Sequence, residues 1–257
     1  MCHARSVRQY FSDAARLLVP ARDPAHGPLP ILLLSLTVVT GIIDAFSYLS
    51  LSHVLVANMT GNVVFSAFGA VGAPGFVWWA LLLAVAAFLA GALIGGYLRR
   101  RVAIHRGRHL LYAVISELLL VCAAWVLSLC AVSPFSGWSS AGLVILLGLA
   151  MGIQNSTARA LAVPDLTTTV LTLTLTGIGS DAASGHGSKI GRRTVPIAAM
   201  FLGAAAGAAL VQSGLESEAL ALAAGALAIT ATAALATAQS SKPWTATPGS
   251  VARIGDI

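Results

Sequence analysis

An aspartate in the middle of an apolar run is the first residue with chemistry to offer. Asp44 lies in the stretch 31–51, between Gly41-Ile42-Ile43 and Ala45-Phe46. It falls about 20 Å from the start of a helix drawn over that stretch at 1.5 Å per residue. An ionisable group at such depth in hydrocarbon costs about 3 kcal/mol on insertion scales, so Asp44 is expected to face protein or a water-filled cavity and to bind a solute or a proton. The alternative is a structural carboxyl, protonated or capping the backbone N–H groups of a broken helix.

Just downstream, Ala57-Asn58-Met59-Thr60-Gly61-Asn62 puts two amides, a hydroxyl and a flexible backbone into a segment otherwise built of Val, Phe and Ala. Unpaired polar groups are not tolerated against lipid, so Asn58, Thr60 and Asn62 are expected to line a cavity or to knit helices together. A second polar stretch follows Pro164-Asp165, where Thr167, Thr168, Thr169, Thr172, Thr174 and Thr176 crowd one short segment. Threonines can bond back to the preceding turn at little cost; this density favours a hydroxyl-lined path. Asn155 ends the motif Gly152-Ile153-Gln154-Asn155 and is an uncharged counterpart of Asp44. Glu117 is about 10 Å into a helix beginning near Leu110. It reads either as the partner of an arginine in the preceding loop or as a second titratable site for proton coupling. His53, between two apolar segments, reads as an interfacial imidazole.

These residues need elements to hold them, and the composition says of what kind. Of 257 residues, 57% are hydrophobic even with glycine left out, and 9% are charged. A soluble domain has ~45–50% apolar residues with glycine included and ~25% charged. Too few charges remain to solvate a surface, which excludes both a soluble and a disordered protein. Net charge is +6, but the cations sit in blocks beside apolar runs, as orienting charges do, so nucleic acid is not expected as a partner. Anionic lipid headgroups are, through Arg99, Arg100 and Arg101.

Apolar segments run over 31–51, 54–72, 76–98, 110–132, 139–158, 166–180, 194–213 and 217–238. A helix needs ~20 residues to cross a ~30 Å hydrocarbon core, and six of these suffice. The segments 54–72, interrupted at Ala57–Asn62, and 166–180, short and threonine-rich, do not. Basic clusters occur in the N-terminal tail, in 99–109 and in 185–193, whereas 213–218 holds Glu216 and Glu218. Eight crossings would leave one basic cluster outside; six crossings with two re-entrant segments put every cluster, and both termini, on the cytoplasmic side of an inner membrane. Residues 1–30 form a basic tail with the periodicity of an interfacial helix, and 239–257 a polar tail.

An internal repeat agrees. Gly41-Ile42-Ile43-Asp44 precedes the first broken segment as Gly152-Ile153-Gln154-Asn155 precedes the second, and Phe88-Leu89-Ala90-Gly91 matches Phe201-Leu202-Gly203-Ala204. Halves of about 31–132 and 139–238 each read as span, broken segment, span, span. Three crossings per half make the repeat inverted, a recurrent plan of secondary transporters. The pairs Gly91/Gly95, Gly148/Gly152 and Gly203/Gly207 read as close helix packing.

Enzymatic signatures are missing: no His-Glu-x-x-His, P-loop, Gly-x-Ser-x-Gly or Cys-x-x-Cys is present, so no catalytic residue, metal or cofactor is expected. Cys2, Cys122 and Cys130 form no disulfide framework.

The motifs Gly41-Ile42-Ile43-Asp44-Ala45-Phe46-Ser47-Tyr48 and Ala57-Asn58-Met59-Thr60-Gly61-Asn62, with Gly152-Ile153-Gln154-Asn155 and Val163-Pro164-Asp165-Leu166-Thr167-Thr168-Thr169, resemble the YoaK family of bacterial membrane proteins. The resemblance runs from about Leu32 to Ala238. It implies a bacterial multi-pass membrane protein and brings no catalytic or binding residues, since the family's function is unknown.

The sequence therefore predicts an all-α, polytopic helical membrane protein with about six spanning helices, two broken or re-entrant segments and an internal inverted repeat. Its expected function is that of a transporter or channel for a small solute, with Asp44, Asn58, Thr60, Asn62, Asn155, Thr167, Thr168 and Thr169 lining the site and Asp44 and Glu117 coupling protons. A non-transporting scaffold or sensor is the alternative, and an intramembrane enzyme a more distant one. A second copy of the chain is an admissible partner.

Overall fold

In a computed structural model, residues 25–101, 105–164, 166, 171–183 and 190–245 are described. The basic tail over 1–24, Asp165, Thr167–Thr169, Lys189 and the end of the polar tail from 246 lie outside them. Eight helices follow in order: α1 (Leu29–Ser50), α2 (Met59–Ala70), α3 (Trp78–Arg101), α4 (Arg106–Cys130), α5 (Gly137–Leu161), α6 (Leu171–Ala183), α7 (Ile190–Gln212) and α8 (Glu216–Ala238).

Six of these are long and apolar enough to cross a bilayer. The other two have 12 and 13 residues, about 18–20 Å at 1.5 Å per residue, short of a ~30 Å core. The long helices overrun the apolar stretches: α3 continues through Arg99, Arg100 and Arg101, where cations suit the carbonyl end of a helix. Pro30 in the first turn of α1 lacks only an N–H that has no helical partner anyway. Trp78 and Trp138, at the starts of α3 and α5, are exposed, as belt residues are.

Helix α3 packs on α5 and α1 on α7, while α4 packs on both α8 and α5, and α1 on α8. The most apolar window of α1 is 78% buried within the protein and that of α7 17%, so α1 is central and α7 peripheral. Backbones touch at the two outer pairs. A Cβ on Gly152 would stand 2.1 Å from the Phe88 carbonyl oxygen, and one on Gly91 2.2 Å from that of Leu149. On the other side, a Cβ on Gly41 would stand 2.4 Å from the Met200 carbonyl oxygen and one on Gly203 2.1 Å from that of Val38. Only glycine permits these crossings.

One end of the bundle is tied by Arg106, which is buried. Its guanidinium donates to the carbonyls of Leu161, closing α5, and of Trp244 (3.3 Å), beyond α8, and contacts His26 Nδ1 (3.4 Å), ahead of α1. His105 adds a 2.8 Å bond to the Ser240 carbonyl. The start of α1, the α3–α4 loop and the ends of α5 and α8 therefore share one face, the arginine-rich end. The sequence reading treats Arg106 as one more orienting charge; here it is a buried tie between four chain segments.

Candidate functional site

After α1 the chain turns back at Ser52 and His53, both in the left-handed region (φ 54° and 63°), which residues other than glycine adopt only when surroundings hold them. The surroundings are aromatic. The His53 ring lies 5.0 Å from Tyr48 and 5.6 Å from Phe76, and its Nδ1 is 2.9 Å from the Gly75 carbonyl. Residues just before and just after the segment 54–72 thus meet at one end of the bundle. The segment enters and leaves from the same side.

Residues 54–58 run back beside α1. There Asp44 Oδ1 accepts the backbone N–H groups of Val56 (3.1 Å) and Ala57 (2.9 Å). Asp44 Oδ2 is buried and has no hydrogen-bond partner among the described residues; the Asn58 side chain is the polar group that faces the same carboxylate. Asn62, fully buried, closes a two-point contact with Leu55. Its Oδ1 accepts the Leu55 N–H at 2.9 Å and its Nδ2 donates to the Leu55 carbonyl. The interruption therefore precedes the helix rather than dividing it: Asn58 is the N-cap position and Thr60, Gly61 and Asn62 belong to the first turn of α2. Asn58 and Thr60 are exposed.

The short segment that carries α6 is anchored at the arginine-rich end. Arg192, near the start of α7, donates to the Pro164 carbonyl ahead of α6 at 3.2 Å, so this segment too has both ends at one face. Asn155, half-buried, donates to the Met151 carbonyl at 2.8 Å. Thr176 bonds back to the Thr172 carbonyl at 2.9 Å, and Thr174 is buried. Asp44 is six residues from the end of α1 and Asn155 six from the end of α5, about 9 Å in from opposite faces at 1.5 Å per residue. The structure brings Asp44 together with Asn58 and the Val56-Ala57 backbone, and sets Asn155 in the other half; Thr167, Thr168 and Thr169 lie outside the described residues.

Two groups stand out against their sequence reading. Glu117 is fully buried and neither oxygen has a hydrogen-bond partner among the described residues, so of its two readings the ion pair with a loop arginine is not formed. Arg106, eleven residues before it on the same stripe of α4, turns its guanidinium to the Leu161 and Trp244 carbonyls. Gln154, passed over in the sequence, is 1% exposed and links α5 to α1 by donating to Thr40 Oγ1 at 2.7 Å.

Six apolar spanning helices with two half-length segments between them define a polytopic helical membrane protein. Residues 32–233 match the family described as Protein of unknown function (DUF1275), and the chain belongs to that family. It is similar to the UPF0700 transmembrane protein YoaK of Bacillus subtilis (strain 168), with 32% identity over 152 residues, 58% of this chain and 65% of the relative. The chain thus aligns with a little under two thirds of that relative's length. No solved structure matches.

Proposed function

We propose that the protein transports a small solute across the bacterial inner membrane, coupled to protons, with the Asp44 and Asn58 pocket as its binding region. The observation that carries this reading is the half-spent Asp44 carboxylate. One oxygen fixes the re-entrant backbone, and the other is left facing an exposed amide at the base of a segment that goes only part of the way through. A half-length helix with its N–H end inside the membrane is the local geometry in which transporters hold polar ligands.

An inverted repeat supports the same reading. Packing of α1 on α7 corresponds to α5 on α3, and α1 on α8 to α5 on α4, as two halves related by a two-fold axis require. The glycine crossings agree atom for atom: Gly152 meets Phe88 and Ala92 as Gly41 meets Met200 and Ala204. That register equates Gly91 with Gly203, one residue off the match drawn from sequence alone. In this reading the arginine-rich end is cytoplasmic, with both termini there. Arg99, Arg100 and Arg101, all exposed, meet anionic headgroups. No catalytic step is assigned to any residue.

The scaffold reading draws on Asn62, whose amide is consumed by Leu55. Flux separates the two. Purified protein in liposomes is tested for entry of a panel of small neutral and anionic solutes, with a trapped pH dye reporting proton movement. Transport by the native chain that disappears in Asp44→Asn combined with Asn58→Ala supports the pocket; flux that survives both substitutions sinks it.

A further inference from the structure

Helices α4 and α5, which pack on each other, hold a second set of buried polar groups. Glu117 is 0% exposed, and Gln154 and Thr157 are each 1% exposed. Glu117 Oε1 and Oε2, Gln154 Oε1 and Thr157 Oγ1 all lack a hydrogen-bond partner among the described residues. Buried oxygens are seldom left so, and these four lie on two helices packed against each other.

Their levels are fixed by one bond. Arg106 of α4 donates to the Leu161 carbonyl of α5. Glu117 is eleven residues after Arg106, and Thr157 and Gln154 are four and seven before Leu161, so Glu117 lies on the stripe of α4 that carries Arg106, and Thr157 and Gln154 on the stripe of α5 that carries Leu161. At 1.5 Å per residue, Thr157, Gln154 and Glu117 stand about 6, 10 and 16 Å in from the arginine-rich end. Successive steps are about 5 Å, the span of one bridging water at ~2.8 Å per hydrogen bond. The Gln154 amide is also oriented. Thr40 donates its hydroxyl hydrogen to the Leu36 carbonyl, so its oxygen can only accept, and the Gln154 NH2 must point at it, leaving Oε1 free for the seam.

At the other helix contacts, a Cβ on Gly107 would meet the Thr237 carbonyl, and Ser128 bonds Ser217 at 3.1 Å. Glu117 thereby falls near the level of Leu227 on α8, at the centre of its own 25-residue helix. The charged groups of the packed elements are distant, with Glu216 and Glu218 at the start of α8, Arg159 at the end of α5, Arg99 to Arg101 at the end of α3 and Arg106 and Arg108 at the start of α4 beside His109, while the neutral Tyr112 and Cys122 stand about 7 Å to either side of Glu117 along α4. None stands level with Glu117.

From this we infer that Glu117 is an intramembrane proton-binding carboxyl, exchanging with the arginine-rich face through waters held along the α4–α5 seam by Gln154 and Thr157. An unpaired carboxylate in such surroundings is far costlier than the neutral acid, whose polar atoms bridging water can satisfy. Arg106 at the mouth of the seam repels sodium and potassium and slows hydronium, so exchange is slow and selective. The inference takes from the transport reading only the use to which the proton is put.

The native protein in liposomes is treated with N,N′-dicyclohexylcarbodiimide over a series of pH values, then digested and mapped by mass. The reagent takes the carboxylic proton on one nitrogen while the carboxylate oxygen attacks its central carbon, and the adduct rearranges to a stable N-acylurea. Labelling of Glu117 in folded protein, lost as pH rises and absent in Glu117→Gln, is the expected result. Gln154→Leu with Thr157→Val should slow it severalfold in protein that still melts as one cooperative unit. Labelling that appears only after unfolding overturns the site. Protection by sodium at constant pH replaces the proton with a metal cation and overturns it also. A rate unchanged in the double variant removes the seam. Flux is scored separately, so labelled protein that moves no solute would leave Glu117 standing and the transport reading fallen.

Discussion

His53 and Gly75 meet through a 2.9 Å contact between imidazole Nδ1 and a backbone carbonyl, across 22 residues that include the whole of α2. The carbonyl can only accept, so Nδ1 carries a hydrogen. Both ends of the segment are consequently exposed to the same compartment. In a cysteine-free background, single cysteines at Ser52 and Gly72 should react with an impermeant maleimide from one side of the membrane. A cysteine at Ser240 should react from the other. Labelling of Ser52 and Gly72 from opposite sides would make α2 a crossing.

Asp44 is expected to matter to the fold through one oxygen. Asp44→Leu strands the Val56 and Ala57 N–H groups, and at about 1–3 kcal/mol for each buried donor the protein should lose about 2–6 kcal/mol. Asp44→Asn keeps a carbonyl acceptor and should cost about 1 kcal/mol. Unfolding in detergent, followed by helical circular dichroism, measures both. Equal losses would mean that the backbone contacts are not what Asp44 contributes.

The glycine crossings give a paired prediction. Gly41→Ala and Gly152→Ala each force two backbones apart and should destabilise by about 1–3 kcal/mol, as overpacking does. Gly225→Ala, where a Cβ would meet nothing within 4 Å, should be neutral or stabilising by up to about 1 kcal/mol, from helix propensity alone. A melting series in one detergent compares all three.

At the arginine-rich end, Arg106→Lys should behave almost as Arg106→Ala. One ammonium cannot span the Leu161 carbonyl, the Trp244 carbonyl and His26 as a planar guanidinium does. Release of Trp244, now packed against Gly27, should make the chain beyond Ala238 cleavable by chymotrypsin after Trp244. Digestion of the native and Arg106→Lys proteins side by side reads this out.

Much of the scaffold was legible because hydrocarbon imposes simple arithmetic. Runs long enough to cross show as runs, and the interruption around Asn58 and the threonines of 166–180 marked the two places where a crossing fails. The site was legible only in part. Asp44 announced itself by depth, but Asn62 gave no sign that its amide would be consumed by Leu55, seven residues back. That pairing depends on a chain reversal at Ser52 and His53, whose left-handed backbone no composition signals. Arg106 looked like Arg99 or Arg108, since burial of one arginine in a basic loop is decided by the Leu161 and Trp244 carbonyls on other elements. Gln154 was visible as a polar residue beside Asn155, but its Thr40 partner comes from 114 residues earlier.

Backbones in contact cannot slide or rotate past one another without first separating. At Gly41 and Gly203, and at Gly91 and Gly152, main-chain atoms are already as near as they can come. Helices α1 and α7 are in effect one stiff beam, and α3 and α5 another. Any rearrangement that exposes the interior alternately to the two faces has to move each beam as a unit, with the strain taken up along α4 and α8.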